Sequence, residues 1–229
     1  MALNRVQTID DRVRVKTALV SVWDKSGLDL LVKGLLATTP DLRILSTGGT
    51  HGVIQDILGP TARDRLRQIS DYTGQPELQG GLVKTLDFKV YLGLLSETYN
   101  EAHHADMARA GAVLIDLVVV NLYPFAGVVS KPDATPETAR ANIDIGGPCM
   151  VRAAAKNFHR VAVLTDPADY APIITELSAG GGALSLATRW RLAQKAFTAT
   201  AAYDAAICSY LARLDFERVS ADYDVRTGS

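Results

Sequence analysis

The chain has 229 residues, of which 48% are hydrophobic and 21% are charged, and its net charge is −1. This balance is typical of a globular protein, and the length suits one large α/β domain or a core domain with a helical appendage. A near-neutral chain lacks the basic excess that binding to nucleic acid or to an anionic membrane requires, so any phosphate recognition must be local.

The cysteines and the N-terminus bear on the cellular compartment. Cys149 and Cys208 are far apart and neither has the spacing of a metal or redox motif. Residues 1–16 are polar and mixed in charge, unlike a signal peptide, and no apolar run approaches the ~20 residues of a membrane span. We therefore expect a cytoplasmic protein with reduced thiols, no membrane segment, no metal and no cofactor.

The first part of the chain alternates apolar runs with helical patterns. The run at 17–22 predicts a buried strand, and the leucines and valines at 28–36 recur at helical spacing. A second strand is predicted at 42–46 and a second helix at 51–58. This order of strand, helix, strand and helix indicates parallel pairing with right-handed crossovers.

An irregular stretch follows, at 71–81, after a charged connection at 60–68 and a possible short strand at 68–70. Its glycines and proline are not compatible with a regular element, and a loop of this length in a compact domain is usually functional or disordered. It leads to Lys84, which stands between apolar residues. Either Lys84 has a buried partner, or its stem lies on the core while its ammonium group reaches water.

The second part contains the strongest predicted strand, 116–120, directly followed by Asn121 and Tyr123. Ligands bind at the carboxyl ends of parallel strands, so this segment and the end of the strand at 42–46 favour a shared pocket. The remaining predicted elements are a polar helix at 97–111, a short helix from Thr135, a helix at 149–157, a strand at 160–165, a helix at 167–179, a long helix at 188–211 and a loose polar tail after Phe216.

Two glycine pairs stand where predicted helices begin. The first lies in Thr47–Thr50, where backbone N–H groups and the hydroxyls of Ser46, Thr47 and Thr50 could hold a phosphate. An ordinary strand-to-helix turn explains the same residues. The second pair, Gly146 and Gly147, could hold a second anion or a developing oxyanion.

Several segments, taken together, resemble one family. They include Asp-Tyr-Thr-Gly at 71–74, Val-Lys-Thr-Leu at 83–86, Asn-Leu-Tyr-Pro-Phe at 121–125, Asn-Ile-Asp-Ile-Gly-Gly-Pro at 142–148 and Ala-Ala-Ala-Lys-Asn at 153–157. In this order they resemble the inosine monophosphate (IMP) cyclohydrolase domain of the bifunctional purine biosynthesis enzyme. The resemblance implies an α/β fold, a methylglyoxal-synthase-like doubly wound sandwich with a mainly parallel sheet and a helical C-terminal extension.

The resemblance also implies an activity, partners and site residues. The reaction is closure of the formamido-imidazole-carboxamide ribonucleotide to IMP with loss of water, in a homodimer that binds these purine nucleotides. The family's transformylase domain has no counterpart in this sequence. The chain is therefore either a stand-alone cyclohydrolase, for which a separate formyl-transfer enzyme is one possible partner, or a separately expressed domain. By motif match the catalytic residues are Lys84, Tyr123, Asp144 and Lys156. The implied substrate-binding residues are Lys25, Thr47, Gly48, Gly49, Thr50, Thr85, Asn121, Ile145 and Gly146.

The sequence departs from the family pattern at Trp23, Leu82, Asp87, Phe88 and Tyr91. We expect these changes to cluster around the pocket. They keep open a non-catalytic nucleotide-binding module on the same fold, and a methylglyoxal synthase is a weaker third interpretation. The predicted organisation is a polar segment 1–16, one domain 17–215 whose long helix spans 188–213, and a polar tail 216–229.

Overall fold

Short apolar runs form the strands at the centre of the protein, which we describe from a computed structural model over residues 5–76 and 84–226. In chain order the strands are β1 (Arg12–Arg14), β2 (Thr17–Val20), β3 (Arg43–Ser46), β4 (Leu66–Gln68), β5 (Leu117–Val119), β6 (Ala162–Leu164) and β7 (Ala183–Ser185). Five of them make a sheet in the order β4-β3-β2-β5-β6, in which every neighbouring pair is parallel. The predicted parallel sheet is confirmed.

Helices cover both faces of this sheet. They are α1 (Leu28–Thr38), α2 (Gly48–Leu58), α3 (Ala62–Arg65), α4 (Ile69–Thr73), α5 (Phe88–Leu95), α6 (Glu101–Ala110), α7 (Phe125–Val129), α8 (Pro136–Ala141), α9 (Gly146–Lys156), α10 (Tyr170–Ala179), α11 (Leu186–Leu211) and α12 (Phe216–Ser220). One core lies between the sheet and α1, α2 and α10, and the other between the sheet and α5, α9 and α11. Since β2, β5 and β6 are buried on both faces, their sequences are continuous rather than alternating apolar runs.

A second, two-stranded sheet joins the start of the chain to the segment before α11. Strand β1 pairs antiparallel with β7, with Arg12 opposite Ser185. Neither strand is predicted by the sequence, because each has only three residues. Val13 in β1 is half-buried and Leu184 in β7 is buried, which gives too little apolar pattern. Residues 12–14 therefore share in the fold although their composition is polar.

Several predicted elements differ from the structure at their ends. Helix α9 begins at Gly146 rather than Cys149, and 167–169 forms a 3₁₀ turn before α10. Helix α6 begins at Glu101, where Asn100 caps it by accepting the His103 N–H. The glycine pair has low helix propensity, so propensity alone placed the start of α9 one turn late.

The described part of the C-terminal segment, through residue 226, contains helix α12, which is not predicted from the sequence. Helix α12 contacts α8, and residues that follow α12 hold it there by hydrogen bonds. The Asp222 carboxylate accepts the Glu137 N–H at 3.0 Å, and the Tyr223 hydroxyl donates to Glu137 Oε2 at 2.5 Å.

No helix in the described ranges combines the length and apolar character that crossing a membrane requires.

Candidate functional site

The carboxyl ends of β2, β3 and β5 open into one cavity of about 780 Å³. The loop after β2, the Thr47–Thr50 turn after β3 and the segment from Asn121 after β5 form one side of it. The connection from α8 to α9 closes the other side. The strand ends thus place the two glycine pairs in one pocket, as expected for a parallel α/β sheet.

Twelve of the thirteen site residues predicted from the sequence line this cavity. The predicted catalytic residues among them are Lys84, Tyr123 and Asp144. The predicted binding residues are Lys25, Thr47, Gly48, Gly49, Thr50, Thr85, Asn121, Ile145 and Gly146.

The predicted residue that lies apart is Lys156. It is exposed at the last turn of α9, whereas the pocket meets the first turn. Ten residues of helix separate Lys156 from Gly146, about 15 Å at 1.5 Å per residue. The chain therefore does not fold back to bring Lys156 to Asp144, and a catalytic role for Lys156 stays a prediction.

The first glycine pair presents open backbone donors. Within the described residues the N–H groups of Gly48 and Gly49 have no acceptor, as is usual in the first turn of a helix. Gly48 has a φ of +33°, and a Cβ added there would meet Lys84 Nζ at 3.2 Å. Two N–H groups, a helix start and an adjacent ammonium make this turn suited to an anion.

The hydroxyls near this turn are less available than the sequence predicts. Ser46 Oγ donates to the Val20 carbonyl, and Thr50 Oγ1 donates to the Val22 carbonyl while accepting the Val22 N–H. A hydroxyl has one proton, so these two side chains hold β3 and α2 to the end of β2 and have none left for a ligand. The Thr47 hydroxyl shares one hydrogen bond with Ser21 at 2.7 Å, and the pair retains one proton to donate.

Asn121 and Lys25 fix the loop after β2. The Asn121 side-chain oxygen accepts the N–H groups of Trp23 and Asp24, and its nitrogen donates to the Asp24 carbonyl. Lys25 Nζ donates to the carbonyls of Val22 and Trp23. Partial burial lowers the pKa of Lys25, an effect that the nearby Asp24 carboxylate opposes. Asn121 therefore acts on the shape of the pocket through the backbone of Trp23.

Asp144 is the carboxylate of the cavity. Its Oδ1 accepts the Gly147 N–H at 2.9 Å, and its own N–H donates to the Tyr203 hydroxyl at 2.7 Å. Burial raises the pKa of Asp144, although N–H groups of Gly147 and Tyr123 stabilise the ionised form. A carboxyl with a raised pKa is better suited to accept a proton than one with an ordinary pKa.

The start of α9 adds donors beside this carboxylate. The N–H groups of Ile145 and Gly146 have no acceptor in the described part of the chain. Thr85 Oγ1 lies 2.8 Å from a Cβ added at Gly146, so Thr85 packs closely against this turn. Since Lys84 packs against Gly48, the dipeptide Lys84-Thr85 joins the two glycine turns.

The departures from the family pattern do not all surround the pocket, and the prediction that they cluster there is wrong for three of them. Trp23 lines the cavity, with its side chain half exposed. Asp87 instead caps α5 by accepting the Lys89 N–H, Phe88 is exposed to solvent, and Tyr91 packs on the second core. Leu82 lies outside the described residues.

Two functional candidates were not predicted from the sequence. Arg140 lines the cavity, and Tyr203 holds the backbone of Asp144 from α11. An arginine on a short helix carries no sequence signal for this position. Tyr203 lies 59 residues from Asp144, so only the folded chain reveals the contact.

Across 5–76 and 84–226 no group of three or more His, Cys, Asp or Glu side chains is arranged to hold a metal ion.

Comparisons with known proteins agree with this fold. A family model described as MGS-like domain matches residues 28–149, and one described as AICARFT/IMPCHase bienzyme matches 154–227. The chain belongs to the family of MGS-like domains, which confirms the fold expected from the resemblance.

Within this family the chain is similar to bifunctional purine biosynthesis proteins named PurH. It is 48% identical to that of Chlorobium phaeovibrioides over 87% of this chain and 37% of the relative. It is 45% identical to that of Neisseria meningitidis serogroup C, over 92% and 39%, and 49% identical to that of Synechococcus sp. WH7803, over 85% and 36%. The chain thus spans less than two-fifths of the length of these curated relatives.

A solved structure of one relative matches most of this chain. The crystal structure of ForH superposes with a TM-score of 0.72 at 36% identity, covering 86% of this chain and 99% of ForH. The similarity therefore includes nearly the whole of ForH, whereas it includes less than two-fifths of the PurH relatives.

Proposed function

We propose that the protein is an IMP cyclohydrolase, which closes the formamido-imidazole-carboxamide ribonucleotide to IMP with loss of water. The observation that carries the proposal is the cavity itself. It joins an anion-binding turn at Gly48 and Gly49 to a half-buried carboxylate and open N–H groups at Asp144–Gly146. The AICARFT/IMPCHase match and the PurH relatives support this choice of reaction.

The phosphate of the nucleotide binds at the first glycine turn. The N–H groups of Gly48 and Gly49 donate to it, together with Lys84 and the remaining proton of the Ser21–Thr47 pair. The ribose and the heterocycle then extend along Lys84-Thr85 toward Asp144. This binding holds the two reacting groups of one ring side by side, which removes up to about 7–11 kcal/mol of barrier in favourable intramolecular cases.

Ring closure forms one bond and later breaks another. The carboxamide nitrogen attacks the formyl carbon, and Asp144 accepts the proton that the nitrogen loses. The formyl oxygen becomes an oxyanion, which the N–H groups of Ile145 and Gly146 stabilise. A donor of this kind contributes about 3–4 kcal/mol. Lys84 and Tyr123 deliver two protons to that oxygen, the C–O bond breaks, and water leaves as the former formamide nitrogen gives up its proton and forms the C=N bond of the new ring. This proton and the one held by Asp144 return to Lys84 and Tyr123, so no net proton is gained or lost.

The resemblance extends this proposal beyond the cavity. We assign Lys156 a role in proton transfer on the motif match alone. We also propose that the protein is a cytoplasmic homodimer. The chemistry as written requires neither a metal ion nor a redox cofactor.

The test is direct turnover. Purified protein is mixed with the formylated ribonucleotide, and IMP formation is followed by ultraviolet absorbance. Turnover that Asp144→Asn and Lys84→Ala abolish, and that the exposed control Lys33→Ala retains, supports the proposal. Tight nucleotide binding without turnover would assign the chain to a non-catalytic binding module.

Lys156→Ala is tested separately, because its position differs from that of the other catalytic candidates. Loss of turnover without loss of folding would support its role. Full activity would remove Lys156 from the catalytic set and leave the rest of the mechanism intact.

A further inference from the structure

Arg140 is a cation of the pocket to which the sequence assigns no role. It lies in the last turn of α8, four residues before Asp144, and it lines the cavity together with Ile143 and Asp144. We propose that Arg140 contacts the heterocycle of the bound nucleotide, donating hydrogen bonds to a carbonyl oxygen of the base. This inference rests on the proposed function and adds a specificity-determining residue to it.

The hydrogen bonds of Arg140 leave part of its guanidinium available. Its Nε donates to Glu137 Oε2 and its Nη2 to Glu137 Oε1, both at 2.6 Å. Arginine has five N–H donors in a planar fork, so this two-point contact uses two of them. The Tyr223 hydroxyl is a further hydrogen-bonding partner of the guanidinium, which leaves two of the five donors, and 65% of the side chain is exposed.

The contact with Glu137 fixes the guanidinium at the rim of the pocket. Glu137 is in turn held by the C-terminal segment, since Tyr223 donates to its carboxylate and Asp222 accepts its N–H. A planar group held at two points loses less rotational freedom on binding than a free arginine. The segment after α11 therefore helps to position a pocket residue.

The other cations of the cavity are directed elsewhere. Lys25 donates to two backbone carbonyls, and Lys84 lies against Gly48 at the anion-binding turn. Arg140 belongs instead to the connection that carries Asp144 and the start of α9. A nucleotide whose phosphate lies at Gly48 and Gly49 places its base, with its carbonyl oxygen, at this second end.

The experiment compares a whole nucleotide with its phosphate-bearing half. Calorimetric titrations of IMP and of ribose 5-phosphate are made with the wild type, Arg140→Met and Arg109→Met. Arg109 is a matched control, because it pairs with Asp106 three residues away at 2.6 Å, is exposed, and lies on α6. Thermal denaturation checks folding, which the loss of an exposed pair such as Arg140–Glu137 should change little.

Arg140→Met should weaken IMP binding about fivefold or more and change ribose 5-phosphate binding less than about twofold, since a charge-assisted hydrogen bond to the base alone is lost. Arg109→Met should bind both as the wild type does. Unchanged IMP affinity in Arg140→Met, or equal losses for both ligands, would overturn the assignment.

The two proposals fail in different ways. A wild type that forms IMP while Arg140→Met binds it normally removes Arg140 from the site and leaves the cyclohydrolase. A wild type without turnover whose IMP binding depends on Arg140 removes the reaction and leaves the contact. A wild type that does not bind IMP overturns both.

Discussion

Asp144 combines a proposed catalytic role with a cost to folding. Its pKa is raised by burial, so the folded protein binds its proton more tightly than the unfolded chain does. Such a group contributes stability below its ordinary pKa near 3.8, and that contribution is lost as the pH rises through the raised value. The ionised carboxylate thus works against stability at neutral pH.

We predict that Asp144→Asn becomes more stable relative to the wild type as the pH rises through this window. The amide oxygen still accepts the Gly147 N–H, while the cost of burying a charge is gone. Urea denaturation of both proteins between pH 3 and pH 8 measures the difference. Asp24→Asn is a control of opposite sign, because the hydrogen bonds from Ser26 lower the pKa of Asp24. A stability difference for Asp144→Asn that does not change with pH would contradict the prediction.

Tyr203 is a positioning residue for Asp144. Its hydroxyl accepts the Asp144 N–H at 2.7 Å, and its ring packs edge-on against Phe125. Tyr203→Phe keeps the ring and leaves this N–H without its acceptor, which should cost about 1–2 kcal/mol of unfolding free energy. We also expect a lower kcat for IMP formation with a smaller change in KM.

The matched control for Tyr203 lies two turns away on the same helix. Tyr210 also packs on Phe125, at 5.9 Å between ring centroids, and no hydrogen bond of its hydroxyl is recorded among the described residues. Tyr210→Phe should change stability and kcat little. Equal effects of the two substitutions would show that the Tyr203 hydroxyl does not position Asp144.

At the scale of the element, the start of α9 requires a residue without a side chain at Gly147. A Cβ at Gly147 would lie 2.4 Å from Asp144 Oδ2 and 2.9 Å from Leu122 Cδ2. Gly147→Ala should displace the carboxylate and lower kcat by about 10- to 100-fold, because small displacements of reacting groups carry large penalties. The assay is IMP formation at saturating substrate.

Gly52→Ala is the control for Gly147→Ala, because Gly52 also lies in a helix. It lies inside α2, and nothing stands within 4 Å of a Cβ added there. Gly52→Ala should stabilise the protein by about 0.5–1 kcal/mol and leave kcat unchanged, since alanine restricts the unfolded chain and favours the helix. If Gly147→Ala were as active as Gly52→Ala, the close contact with Asp144 would have no functional consequence.

The elements that the sequence predicts are those whose burial leaves a local pattern. Strands β2, β3, β5 and β6 are apolar runs, and Thr135 and Pro136 indicate the start of α8. Strands β1 and β7 leave no such pattern, because their pairing depends on partners about 170 residues apart.

The candidate site, too, can be predicted from the sequence only in part. The strand ends and motifs predict which backbone turns meet, and twelve residues do meet. They do not reveal that the hydroxyls of Ser46 and Thr50 are already used, or that α9 carries Lys156 away from the pocket. Each of these depends on a hydrogen bond or a helix length that is settled only by the folded chain.

At the scale of the whole molecule, one buried arginine ties the distant parts of the chain together. Arg189 on α11 is 1% exposed, and all five of its N–H groups donate to backbone carbonyls. The acceptors belong to the N-terminal segment, the turn before β6, and β7, namely Asp10, Asp11, Phe158, His159 and Leu184. Burial lowers the pKa of Arg189, with Asp11 and Asp10 opposing the shift.

We predict that Arg189→Met destabilises the protein by more than about 3 kcal/mol, because several buried carbonyls lose their donors at once and each costs about 1–3 kcal/mol. Arg191→Met, two residues along, should cost less than about 1 kcal/mol, since Arg191 is half exposed and Lys195 still pairs with Asp169. Chemical denaturation measures both. Hydrogen exchange should show the Arg189→Met loss first at β1 and β7, since their pairing is otherwise only three residues long. Similar stabilities for the two variants would mean that the N-terminal strand is held by its own pairing and that Arg189 is not the link between these segments.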